Sequence, residues 1–63
     1  MIPSKGDVFV GTAVEVKPFG TFIEHPGGAH GLLHGAEVEI GTQVSVRVID
    51  VDAERERFSL AKA

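Results

Sequence analysis

Apolar and polar residues alternate in short stretches along this chain, and glycine and proline punctuate them where one stretch gives way to the next. The first stretch, Lys5 to Lys17, predicts a strand: Val8, Val10, Val14 and Val16 share one phase of a period-two pattern, and Asp7, Glu15 and Lys17 take the other. Gly11 interrupts it and predicts a bulge or a sharp bend, because glycine packs no side chain and tolerates unusual dihedrals. Pro18 ends it. Phe19 to His25 predicts a second strand, with Thr21 and Ile23 on one face and Phe22 and Glu24 on the other. Pro26, Gly27 and Gly28 form a turn, and Ala29 to His34 a short third strand paired to the second as a hairpin.

Residues 35–41 make a linker too short for a helix, in which Val38 and Ile40 are expected to dip toward the core between Glu37 and Glu39. Thr42 to Asp52 carries the clearest alternation: Val44, Val46 and Val48 against Gln43, Ser45 and Arg47. The run Val48, Ile49, Val51 then marks burial on both sides or a phase shift at a bulge. Ala53 to Glu56 is a charged turn, and Arg57 to Ala61 a last short strand carrying Phe58 and Leu60 toward the core. Five strands at this spacing, with a glycine inside the long first one, favour a closed barrel over a sandwich. Closure also removes exposed edges that would endanger a small valine-rich chain.

Size and charge narrow the picture. With 63 residues there is room for one domain, and a chain of this size buries only about 60% of its unfolded surface. Cysteine is absent, so neither disulfides nor thiolate chemistry are available. Residues 1–10 lack the apolar run of a secretory signal, and no stretch approaches a membrane span, so a cytoplasmic protein without membrane contact is expected. Six Lys and Arg stand against nine Asp and Glu, a net charge of −3. Phosphate neutralisation dominates nucleic-acid affinity, so this balance argues against sequence-independent duplex binding. Any nucleic-acid binding would be weak and led by stacking.

Several segments together carry a resemblance. Gly6-Asp7-Val8-Phe9-Val10-Gly11, Phe19-Gly20-Thr21-Phe22-Ile23-Glu24, Gly31-Leu32-Leu33-His34, the run from Gly41 to Asp52, and Arg57-Phe58-Ser59-Leu60 follow the order of the RNA-binding domain family named after ribosomal protein S1. The chain resembles that family over nearly its whole length. The resemblance implies an all-β, five-stranded antiparallel Greek-key barrel of the oligonucleotide-binding (OB) type, with residues 1–63 as a single domain. It also implies an RNA surface in which Phe19 and Phe22 stack bases, His34 stacks or meets a phosphate, Asp52 accepts from a base edge or holds an arginine, and Arg57 pairs a phosphate or stacks. Apart from the resemblance, Lys17 reaches either a phosphate or only water. Phe9, out of phase with its valines, either extends the aromatic surface or packs in the core. Two departures stand out: Gly35 and Ala36 replace the family's usual isoleucine and serine, and only Glu37 to Ile40 remain where the family inserts a longer segment with a short helix.

Competing chemistries fare worse. His30 and His34 lie four apart on a strand, roughly 13 Å, and cannot share an ion. His25 and His30 alone would give two ligands, fewer than a structural zinc site needs. No metal and no cofactor are therefore expected. Ser4, Ser45 and Ser59 have no evident base partner, the turn glycines lack the following Lys-Ser/Thr of a phosphate loop, and no nucleophile motif occurs, so the chain is not read as an enzyme. The expected partner is single-stranded RNA, bound with low sequence specificity in translation or RNA metabolism, on its own or within a ribosome or RNA-processing complex. The alternatives are a protein-interaction adaptor docking on a ribosome, nuclease or polymerase, and a minimised or engineered barrel with little RNA affinity.

Overall fold

In the first strand the valines do not lead. The computed structural model describes residues 3–63, and in it β1 (Val8–Lys17) turns Phe9, Gly11 and Ala13 inward while Val8 and Val10 stand about half exposed outside. This reverses the expected phase at the start of the strand. The reason is space. A Cβ on Gly11 would lie 2.3 Å from Ile23 Cγ2 and 2.8 Å from the Glu24 carbonyl oxygen, so this position admits only glycine on the inside of the barrel. Hydrophobicity cannot choose between two apolar phases; the close approach of β2 does. The irregularity that Gly11 suggested falls instead between Ala13 and Glu15, where the β1–β2 register shifts. Past it, Val16 comes opposite the buried Thr21 at the barrel's end.

β2 (Gly20–Glu24) and β3 (His30–His34) form the expected hairpin, with Ile23 and Leu33 fully buried and Phe22 and Leu32 on the outer side. The turn between them is closed by His25 and Ala29: the His25 N–H donates to the Ala29 carbonyl, and the His25 carbonyl accepts from Gly28 N–H at 2.8 Å. β4 (Gln43–Asp52) buries Val46 and Val48, and a register shift between Val48 and Asp50 throws Ile49 outward, 45% exposed. That is the bulge the Val48-Ile49-Val51 run allowed. β5 (Arg57–Lys62) contributes Phe58 and Leu60 to the core.

The strands close in the order β1-β2-β3-β5-β4, with β4 returning to β1. This is a five-stranded all-β barrel of OB type. One detail of the expectation needs correction. The pairing is mixed, because β3 and β5 run parallel while the other four pairs are antiparallel. The chain crosses the barrel's end through residues 35–42 and reverses in β4 before β5 comes to lie beside β3, so the two must point the same way. At that junction Gly31 leaves room for an aromatic ring: a Cβ there would sit 2.2 Å from Phe58 Cε2.

The linker is tied down by one buried hydroxyl. Thr21 Oγ1 donates to the Ala36 carbonyl at 2.7 Å and accepts from Val38 N–H at 3.1 Å. These bonds satisfy the one buried polar side chain among the described residues and pin the linker across the barrel's end. Val38 packs against the core as expected, whereas Ile40 does not and remains 64% exposed. Gly41 N–H reaches the Ala13 carbonyl and Ala13 N–H the Thr42 carbonyl, which draws the chain sideways into β4 before Ile40 can turn in.

Candidate nucleic-acid interface

The outward phases of β2, β3, β5 and β4 line up across the barrel in rows. The middle row runs Glu15, Phe22, Leu32, Ser59 and Asp50, each opposite the next on a neighbouring strand. One row toward the β2–β3 turn, Glu24 faces His30, and Asp52 faces Arg57; continuing the β3–β5 register by one residue sets His30 beside Arg57. On the other side, Lys17 and His34 flank Gly20. A Cβ on Gly20 would meet the Leu33 carbonyl oxygen at 2.4 Å, so glycine is what lets β2 and β3 close together there.

A shallow groove follows the first two of these rows. Phe19 and Phe22 line one side, and the β4–β5 turn with Asp52, Arg55 and Arg57 lines the other. Phe19 sits just before β2 and is 56% exposed, while its carbonyl accepts from Gly35 N–H at 3.2 Å. An exposed phenylalanine held by its backbone is a ready stacking surface, since every base offers a π-face. Arg57 is exposed and makes no ion pair among the described residues. The aspartate opposite it turns instead to the β4–β5 turn: Asp52 Oδ1 accepts from Arg55 N–H at 3.4 Å, and Oδ2 lies 3.8 Å from Arg55 Nε. Among the described residues the guanidinium of Arg57 thereby has no carboxylate partner.

The structure thus brings Phe19, Phe22, Asp52 and Arg57 into one groove. It sets three other expected residues apart. His34 is exposed on the same outer face but lies outside the groove's lining, one row along. Lys17 shares that row and is held by Glu15, Nζ to Oε2 2.6 Å, which reduces its availability for a phosphate. Phe9 takes the core reading: its ring packs edge-on to Phe58, with centroids 6.2 Å apart, and to His25 at 4.6 Å.

Several groove residues escaped the sequence reading, among them Leu32, Asp50, Ser59 and His30. His30 lines the groove and pairs with Glu24, Nε2 to Oε2 3.4 Å. Its signal was present, since His30, Leu32 and His34 share a phase, but only the parallel contact of β3 with β5 shows that His30 comes beside Arg57. Among the described residues no group of three His, Asp or Glu is placed to hold a metal ion. What the groove offers is two exposed or half-buried aromatic faces, an unpaired guanidinium, and carboxylates that accept hydrogen bonds.

Comparison with known proteins agrees with this architecture. The barrel superimposes on an uncharacterized protein of Methanocaldococcus jannaschii with a TM-score of 0.87, at 21% identity, covering 100% of this chain and 96% of that one. The chain is 40% identical to the small ribosomal subunit protein bS1 of Staphylococcus saprophyticus over 92% of its own length, and 33% identical to the polyribonucleotide nucleotidyltransferase of Chloroflexus aggregans over 90%. It spans only 18% and 9% of those two relatives. Residues 2–63 match the S1 RNA binding domain, and with five strands closed in this order the chain belongs to that family.

Proposed function

We propose that this chain binds single-stranded RNA, with low sequence specificity, through the groove between Phe19 and Phe22 on one side and Arg57 on the other. The observation that carries the reading is the juxtaposition itself: an exposed and a half-buried aromatic face beside a guanidinium that makes no ion pair among the described residues. Stacking contributes about 1–3 kcal/mol per base without regard to sequence. Arg57, with His30 beside it, contacts a phosphate, and Asp52 holds the turn that carries Arg55. Lys17 and His34 extend the path along the next row of the same face. The acidic balance of the chain keeps the affinity of one such barrel low. In this reading residues 1–63 act as one domain of a larger assembly, where tethering raises the effective RNA concentration. Similarity to a small ribosomal subunit protein and to a polyribonucleotide nucleotidyltransferase supports a role for such an assembly in translation or RNA metabolism.

A second reading draws on a different surface. Val8 and Val10 stand outward on β1 opposite Arg47 and Ser45, half exposed. A barrel that docks on a protein would use such a face and leave the groove idle. Backbone amide NMR with a short single-stranded RNA separates the two. Shifts gathered at Phe19, Phe22, His30 and Arg57, and shrinking as salt is added, support the RNA reading. A folded spectrum in which no resonance moves at millimolar RNA removes it.

A further inference from the structure

Resting on the RNA reading above, we infer that Asp50, supported by Ser59, reads the edge of the stacked base and favours cytosine over uracil. Phe22, Leu32, Ser59 and Asp50 form one row across β2, β3, β5 and β4, and all four line the groove. Neighbouring strands lie about 4.8 Å apart. A base stacked on Phe22 and lying over Leu32 therefore presents its far edge to Ser59, with Asp50 one strand beyond.

Of the strand carboxylates that line the groove, Asp50 has capacity to spare, while Glu56 stands off the strands on the β4–β5 turn. Glu15, at the other end of the row, is engaged by Lys17, and Asp52 by Arg55. Asp50 makes no ion pair among the described residues, and only its Oδ1 is used, accepting from Val51 N–H at 3.0 Å. An ionised carboxylate can only accept. Cytosine offers it the N4 amino group, a donor; uracil offers O4 at the same place, an acceptor that meets it with repulsion. The Ser59 hydroxyl donates or accepts and so suits either base. The charge of Asp50 also disfavours phosphate nearby, which directs the backbone to Arg57 and His30. That row is two residues along the strand, about 6.6 Å away, within the reach of one nucleotide. The bias is modest by construction: stacking admits any base, and the edge contact tilts the choice.

The test compares fluorescein-labelled octamers of cytidylate and uridylate, which have equal charge and ring size, by anisotropy at neutral pH and low salt. The cytidylate octamer should bind about five- to tenfold more tightly, the lower part of the range for one base-edge contact in an open site. Asp50→Asn, whose fold is checked by its amide spectrum, should bring the two affinities together, because an amide can serve either base. A preference that survives in Asp50→Asn, or equal binding by the unaltered protein, overturns the assignment while leaving the RNA reading standing. Failure of both octamers to bind removes the inference together with the reading beneath it.

Discussion

Two outward faces of the same barrel differ in what they can hold. The face built by β2, β3, β5 and β4 carries Phe22, Leu32, His30, Arg57 and Asp50, a mixture of stacking surface, cation and acceptor. Around the barrel, β1 and β4 pair Val8 with Arg47 and Val10 with Ser45, and the exposed apolar groups are short and branched. Both faces come from the same alternation of inward and outward residues, and both rest on glycine: Gly31 lets Phe58 lie under the first, Gly11 lets Ile23 lie under the second. The lesson is that the inward phase of a small barrel sets its stability, while the identities in the outward phase decide what it can bind. A valine offers no π-face and no hydrogen bond, so area alone does not make the β1 face a nucleic-acid surface.

The sharpest way to break this contrast is to remove the aromatic faces. Phe19→Ala with Phe22→Ala should weaken binding of a single-stranded oligoribonucleotide by about 2–6 kcal/mol, from a loss of roughly 1–3 kcal/mol per stacked base. The amide spectrum should remain that of a folded barrel, since neither ring belongs to the buried core. Unchanged affinity would move the binding surface elsewhere.

A smaller effect, on stability, tests how the groove is supported. Gly31→Ala places a methyl against the buried Phe58 ring. Overpacking of this kind costs about 1–3 kcal/mol, which at this chain length corresponds to a fall in Tm of roughly 4–8 °C per kcal/mol. A thermal melt superimposable on that of the unaltered protein would show that the ring has room the geometry denies it.

The smallest effect belongs to the other face. Val8→Thr with Val10→Thr should change stability by less than about 0.5 kcal/mol at each site, because β propensity is kept and both side chains are half solvated. RNA affinity should not change. A clear loss of RNA binding in this variant would erase the distinction between the faces, and the loss of a protein partner would give the β1 surface a role of its own.

Much of the fold was readable because the signals were local. Pro26-Gly27-Gly28 could only be a turn, Val44-Val46-Val48 could only be a half-buried strand, and the spacing of five such segments pointed to closure. Phe22 was readable as outward because Thr21 and Ile23 are both apolar enough to bury and Glu24 is not. β1 was not readable in the same way. Its two phases, Val8-Val10 and Phe9-Gly11-Ala13, are both free of charge, and period two carries no sign that tells inside from outside. Ile40 misled for a related reason, since an apolar residue in a short linker obeys the hydrogen bonds of its neighbours before its own hydrophobicity.

The sequence by itself determined the number of strands, the turns between them, the family and the outward position of Phe22. The tertiary structure decided what lies beside what. It turned Phe9 inward and Val8 outward, set β3 parallel to β5, brought His30 rather than His34 into the groove, and gave Asp52 to Arg55, so that Arg57 makes no ion pair among the described residues. The physical reason is range. Turn chemistry and alternation act over a few consecutive residues, whereas the steric fit at Gly11 and the meeting of β3 with β5 join segments far apart in the chain and take effect only once the barrel has closed.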